Sequence, residues 1–292
     1  MNLSNENVIH FKDGDVEYLQ FRELLKYSDK IQHAYSLKPL QFSDNNEEAS
    51  ENYRKICKSL KIDSNKIIKS TQKHTDVVQN ITEFTDEEFE FVDGFVTNKT
   101  EIPLVTKYAD CTPIIFYDKI KNVIGNVHSG WRGTLKKISQ KAVIMMKEKY
   151  GCNPEDIIVC IGPCIKQCHF EVEEDFIQKF KEEFGNIEKY YKKGKTTKNE
   201  NIEEYHKKSK NLKNENSEEK LNSNLENEKV VEKQKYYFDT TKLIIDYLME
   251  IGIEKENIFD SNICSVCNSN EMHSYRAEKE LADRNMNIIE LL

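Results

Sequence analysis

Three side chains stand out as a potential metal-binding or nucleophilic set: His74, Cys111 and His128. Each lies at or near the end of a short strand-like run, with a turn signal close by, and residues at strand ends can converge on one point. Two imidazoles and one thiolate suit zinc held by three protein ligands, with the fourth position left open. The same donors also accept copper. A metal-free chemistry is equally available to them, with Cys111 as nucleophile and His128 as its base, giving a thiol hydrolase or deamidase. With seven histidines, the chain has too few imidazoles for the multinuclear copper centre of a true multicopper oxidase.

Anion chemistry is indicated next to His128. In Ser129-Gly-Trp-Arg-Gly133 the backbone is expected to turn into a helix, so free N–H groups, the helix dipole and the Arg132 guanidinium would together suit a phosphate or carboxylate. The alternative is that Arg132 pairs with a carboxylate and Trp131 fills core. Ser274-Tyr-Arg276 offers a second anion contact. The other cysteines are assigned no chemistry. Cys264-x-x-Cys267 has no second pair of its kind to complete a structural zinc site, and Cys160, Cys164 and Cys168 flank a Gly162-Pro163 step that breaks any helix able to align them. All are read as ordinary small buried residues.

The elements that must position these groups follow from hydrophobic periodicity. Strands are expected at 8–11, 31–36, 67–72, 92–97, 104–107, 113–117 and 123–128, where β-branched and aromatic residues cluster. Residues 45–60 place Ala49, Tyr53, Ile56, Cys57 and Leu60 at helical spacing behind an acidic start, and 134–150 is the clearest helix, stopping at Gly151. Further helices are expected at 173–184 and 238–251, and strands at 156–161, 257–263 and 287–291. The segment between the first two strands is mixed and specifies neither type. Residues 93–172 contain six of the ten glycines and the only tryptophan. Glycine beside Trp, Arg and His suggests tight turning or close approach to a ligand, so this stretch is expected to wall the active site.

The chain has 292 residues and a net charge of −8. Residues 192–235 carry twelve Lys, nine Glu and seven apolar residues, too few to build a core, and are read as an insertion, either disordered or a solvated helix. The remainder then bears −11, which argues against nucleic acid as a partner, since such binding relies on phosphate neutralisation. Met1-Asn-Leu-Ser-Asn-Glu-Asn lacks a basic and an apolar leader region, and no run approaches the roughly 18 apolar residues of a membrane span. A soluble, cytoplasmic protein with reduced cysteines and no membrane partner is expected.

Taken in order, Gln72-Lys-His74-Thr, Asp93-Gly-Phe-Val-Thr, Ala109-Asp-Cys111-Thr-Pro, His128-Ser-Gly-Trp-Arg-Gly-Thr134, Ile161-Gly-Pro-Cys164, Phe170-Glu-Val and Ser274-Tyr-Arg276 resemble the YfiH-like, or laccase-domain, family of purine nucleoside phosphorylases. With flanking segments the likeness covers nearly the whole chain outside 192–235. It implies an α/β (α+β) fold of layered mixed β-sheets flanked by helices, forming one catalytic domain over 1–292 interrupted by that insertion. It also implies zinc on His74, Cys111 and His128, with purine nucleosides and phosphate as small-molecule partners. The implied activities are phosphorolysis of adenosine, inosine, guanosine and methylthioadenosine, and adenosine deamination; copper and polyphenol oxidation are the family's older assignments. In this reading Asp110 is the expected proton shuttle, and Arg132, Lys38, Arg276 and Gln72 are the expected substrate contacts. The family's Phe-Ser-Thr-Arg and paired glycines are replaced here by Tyr35-Ser-Leu-Lys38, and a lysine cannot reproduce a bidentate guanidinium fork. The competing reading is a Cys-His amidase or peptidoglycan-precursor editing hydrolase.

Overall fold

The apolar runs become strands whose alternate residues serve different cores. The computed structural model describes residues 1–195 and 234–292. Its strands are β1 (Val8–Asp13), β2 (Val16–Phe21), β3 (Ile31–Ser36), β4 (Ser70–Thr71), β5 (Val78–Ile81), β6 (Phe89–Glu90), β7 (Gly94–Thr97), β8 (Leu104–Tyr108), β9 (Thr112–Asp118), β10 (Val123–Ser129), β11 (Ile157–Ile161), β12 (Glu171–Glu173), β13 (Tyr191–Lys193), β14 (Lys235–Phe238), β15 (Ile258–Asp260) and β16 (Asn285–Leu291). The chain divides into two compact units, one formed by Met1–His169 and Asp239–Leu292, the other by Phe170–Phe238.

In the larger unit a five-stranded sheet, ordered β1-β2-β3-β16-β8, faces a six-stranded sheet, ordered β15-β11-β9-β10-β7-β5. Period-two alternation explains the layering. Along β9, Ile115 and Tyr117 point into the core shared by the two sheets, together with Tyr35, Leu104 and Ile289. Ile114 and Phe116 point the other way, onto Ile138, Ala142, Val143 and Met146 of α4 (Ile138–Tyr150) and Ile244 and Leu248 of the helix Thr240–Glu250. On the far face of the five-stranded sheet, Tyr53, Ile56, Cys57 and Leu60 of α2 (Ala49–Leu60) cover Ala34, Val105, Met286 and Ile288. A strand buried on both faces reads as a continuous apolar run, as Ile157-Ile-Val-Cys-Ile161 does. The expected class, layered mixed sheets flanked by helices, is therefore what forms. A polar pin crosses the central core: Asn126 Nδ2 donates to the Leu104 carbonyl at 2.8 Å, and Asn287 Nδ2 to Asn126 Oδ1 at 2.7 Å. Among the described residues no helix is long and apolar enough to cross a membrane.

Two expectations are corrected. The single helix at 134–150 is two: α3 (Trp131–Leu135) and α4, separated by Lys137 at φ 63°. That left-handed residue ends the first hydrogen-bonded run, so Gly130 opens a helix of five residues, not a long one. The unassigned segment after β1 forms β2 and the single helical turn α1 (Arg22–Leu25), with β1 and β2 paired as a hairpin from Val8↔Phe21 to Asp13↔Val16.

In the smaller unit β14 pairs antiparallel with both β12 and β13, and Phe176, Phe180 and Phe238 form its aromatic centre. Lys192, Lys193 and Lys235, placed at the ends of the charged insertion from composition, are thus strand residues; the insertion's interior lies outside the described residues. Lys193 pairs with Tyr236, and the Gly194 N–H donates to the Lys235 carbonyl at 2.7 Å, so the two ends of the segment face each other. Replacing 196–233 by a short Gly-Asn turn is expected to leave Tm unchanged, because the two ends already sit at hairpin distance and so few apolar residues are lost. Calorimetry checks this: a fall beyond roughly 4 °C, about 1 kcal/mol or more for a chain this size, would show that the segment contributes to packing.

Candidate metal centre

The ladder between β9 and β10 sets Thr112 opposite Ser129 and Pro113 opposite His128. Cys111, the residue before β9, is thereby brought beside Gly130, the residue after β10. His74 arrives from the loop between β4 and β5 in a left-handed conformation, φ 59°. The donor atoms of His74, Cys111 and His128 all lie within 4.8 Å of one another, and the two imidazoles meet edge to face with ring centroids 5.0 Å apart. The expected triad converges. The close approach requires glycine at 130, where an added Cβ would sit 2.6 Å from His74 Cδ2 and 3.1 Å from Cys111 Sγ.

Asp93 organises the centre, a role that the sequence reading did not give it. It precedes β7, whose Gly94 pairs with Val127 of β10, so its backbone carbonyl accepts from the His128 N–H at 2.7 Å. Its carboxylate accepts from His128 Nδ1 at 2.8 Å, from the Lys73, His74 and Thr75 N–H groups at 3.3, 3.1 and 2.7 Å, and from the Thr75 hydroxyl at 2.7 Å. One buried carboxylate thus holds the His74 loop and fixes the tautomer of His128, leaving Nε2 to face a ligand. Burial alone would raise the Asp93 carboxyl, but the His128 imidazole and the Thr75 donors outweigh it and hold it at about 2. Burial likewise opposes charge on Cys111 and His128. Their mutual attraction, with the His74 contact on one side and the Asp93 contact on the other, brings the thiol down to about 6 and the imidazole up to about 9. The thiolate is therefore available at neutral pH. One thiolate and two imidazoles, one of them oriented by a carboxylate, form a three-donor set that zinc accepts.

The remaining candidates make contacts of their own. Asp110 adjoins Cys111 in the chain at φ 81°, and its carboxylate accepts from the Ser265 hydroxyl at 2.5 Å, the Ser274 hydroxyl at 2.7 Å and the Arg276 N–H at 2.6 Å. That placement holds the backbone that presents Cys111. Gln72 donates to the Lys107 carbonyl at 2.9 Å and accepts from its N–H at 2.7 Å, clamping β8 to the His74 loop. The Lys38 ammonium is bound to Glu278 and, at 2.6 Å, to the Ser269 carbonyl. Arg276 Nη1 donates to the His169 carbonyl at 2.9 Å. Arg132 is exposed, its guanidinium 4.4 Å from the centroid of the Trp131 ring.

The reading of the other cysteines needs correction. Cys160 and Cys164 are buried as expected, but Cys168 is exposed and joins His169, Cys264 and Cys267 in a second cluster whose donor atoms lie within 4.8 Å of one another. The missing partner of Cys264-x-x-Cys267 is a Cys-His dipeptide about a hundred residues earlier. The adjacency of Cys168 and His169 was the one available sequence signal.

The family model described as multi-copper polyphenol oxidoreductase laccase matches residues 32–214 and 203–292. A Borreliella burgdorferi protein named purine nucleoside phosphorylase is 28% identical over 90% of this chain and 92% of its own length. A Clostridium acetobutylicum protein of the same name is 35% identical over 53% of this chain and 65% of its own. The crystal structure of Bacillus licheniformis YfiH superposes with a TM-score of 0.75 at 21% identity, covering 97% of this chain and 99% of that one. YlmD from Geobacillus stearothermophilus gives the same TM-score at 18% identity, covering 97% of this chain and 99% of that one.

Proposed function

The chain belongs to the laccase-domain family, and from that premise we propose that it is a zinc-dependent purine nucleoside phosphorylase acting at the His74, Cys111 and His128 centre. The observation that carries this reading is the convergence of those three donors around Asp93, in a chain whose relatives bear that name. In the reaction a phosphate oxygen attacks C1′ of the nucleoside, the glycosidic C–N bond breaks, and the base leaves with a proton, yielding ribose 1-phosphate, or 5-methylthioribose 1-phosphate when the nucleoside is methylthioadenosine. Adenosine, inosine, guanosine and methylthioadenosine are the proposed substrates, with hydrolytic deamination of adenosine as a second activity. When bound, zinc supplies Lewis acidity beside the reacting atoms.

The protein's own groups divide the remaining work. Asp93 holds the proton on His128 Nδ1 and keeps the His74 loop in place. Asp110 maintains the left-handed turn into Cys111, so in this proposal it positions a ligand instead of moving a proton. Arg132, exposed beside the centre, is the proposed phosphate contact; its charge-assisted hydrogen bonds replace the long-helix dipole that the break at Lys137 removes. Lys38, engaged with Glu278, Arg276, engaged with His169, and Gln72, engaged with Lys107, are the remaining proposed substrate contacts.

A nucleoside panel assayed with and without phosphate tests the proposal. Base release is expected only with phosphate, and Arg132→Ala should raise the KM for phosphate about tenfold or more while sparing zinc content and adenosine deamination. Equal base release in phosphate-free buffer would refute phosphorolysis, and equal damage to both reactions would make Arg132 structural. One observation favours a second reading: Cys111 and His128, with Asp93 on Nδ1, also have the arrangement of a thiol hydrolase. A metal-free protein inactivated by alkylation at Cys111 would select it.

A further inference from the structure

We propose that Cys168, His169, Cys264 and Cys267 form a second, structural zinc site that ties together two distant loops of the larger unit. The spacing of the donors carries the inference. Cys168 Sγ and Cys267 Sγ are 3.8 Å apart, and His169 Nδ1 lies 3.3 Å from Cys168 Sγ, 3.6 Å from Cys264 Sγ and 3.4 Å from Cys267 Sγ. A tetrahedral zinc with bonds of about 2.3 Å to sulfur and about 2.05 Å to nitrogen requires about 3.75 Å between sulfurs and about 3.55 Å between sulfur and nitrogen. All four measured separations fall near those values. A sulfur pair at 3.8 Å is not a disulfide, whose S–S bond is about 2.05 Å. The adjacent Cys168 and His169 can serve one ion because His169 uses Nδ1, the ring nitrogen nearer the backbone. Four protein donors complete a tetrahedron, which marks a structural site; the first centre, with three, keeps a position open.

The fold builds this site from both sides. β11 and β15 pair in parallel up to Ile161↔Asp260, and the pairing resumes at Cys164↔Cys264, where Ser265 N–H donates to the Cys164 carbonyl at 3.0 Å. That register brings the loop ending in Cys168-His169 onto the turn Cys264–Cys267. The backbone N–H groups of Lys166, Val266 and Cys267 are directed at the Cys264 sulfur. Backbone donors aimed at a sulfur suit a metal thiolate.

The position of the cluster gives it a purpose. Ser265, between the two cysteines of the turn, donates to Asp110, and Arg276, held by the His169 carbonyl, donates its N–H to the same carboxylate. Asp110 carries the strained φ that presents Cys111. An ion at the second site would therefore steady the frame of the first without touching substrate.

Counting metal in the full-length chain tests this. The protein is stripped of metal, kept reduced, reloaded with zinc and desalted. Wild type is expected to retain two equivalents, Cys111→Ser one, the double variant Cys168→Ser/Cys267→Ser one, and the triple variant none. The double variant uses the two exposed cysteines, so folding should survive, and circular dichroism checks it. In Cys111→Ser loaded with cobalt(II), thiolate-to-metal charge-transfer absorption should persist and a chelator should lower Tm; both effects should be lost when Cys168 and Cys267 are also replaced. A single equivalent in wild type that disappears in Cys111→Ser would overturn the proposal. So would two equivalents retained by the folded double variant.

Discussion

Cys111→Ser is expected to cost the first centre its metal and to lower nucleoside turnover by more than about 100-fold, with little change in the Tm of the metal-free protein. Zinc binds a thiolate far better than a neutral hydroxyl, and the two remaining imidazoles make a weak chelate, one of them on an exposed loop residue at φ 59°. Even changes in groups that only orient ligands commonly cost 10–100-fold in affinity or activity, so loss of a ligand itself should exceed that range. The fold should tolerate serine because it is slightly smaller and Cys111 is only half-buried. Asp93→Asn provides the graded comparison. The amide keeps the volume but cannot accept from His128 Nδ1 and three N–H groups with the same charge, so a 10–100-fold loss is expected. Metal analysis beside steady-state kinetics decides the matter: Cys111→Ser with a full metal complement and normal turnover would remove this thiol from the centre.

The second large effect is expected from a single methyl group. In Gly130→Ala the new Cβ lands 2.6 Å from His74 Cδ2 and 3.1 Å from Cys111 Sγ. Gly130 has φ −70°, which alanine adopts freely, so the backbone is not strained and the clash is the whole effect. The His74 ring, being exposed, can move aside, and zinc affinity should drop by about 100-fold while the Tm of the metal-free protein stays near wild type. Gly162→Ala should do the reverse. Its Cβ would sit 2.1 Å from Cε1 of Tyr35, a side chain wholly buried between the sheets, and overpacking of that kind costs about 1–3 kcal/mol or more. Thermal unfolding and metal titration on both variants separate the two sites of damage. Normal metal affinity in Gly130→Ala would show that His74 need not hold its observed place.

Local pattern made much of this legible. β3 forms over Ile31–Ser36, the span expected from its alternation; β9 and β10 extend the expected runs by a residue or two and β11 starts one residue later than expected, because a period-two apolar pattern is imposed by the sheet itself. The helix ending at Gly151 followed from its apolar face and its glycine stop, but the break at Lys137 did not, since nothing in a Leu-Lys-Lys-Ile step demands φ 63°. β2 was obscured because Glu17 and Gln20 dilute its apolar run.

For the candidate centre, the sequence alone offered the triad: residue type and place at strand ends singled out His74, Cys111 and His128, and the resemblance of the surrounding motifs made them the expected donors. What only the tertiary structure decided was which distant residues serve them. Asp93 reaches His128 through the pairing of β7 with β10, and Cys168 and His169 reach Cys264 and Cys267 through the parallel pairing of β11 with β15. A sequence records the periodicity of each strand over a few residues. The register between strands dozens of residues apart depends on the summed packing of whole sheets, and that sum places a carboxylate at 2.8 Å from an imidazole and a histidine among three thiols.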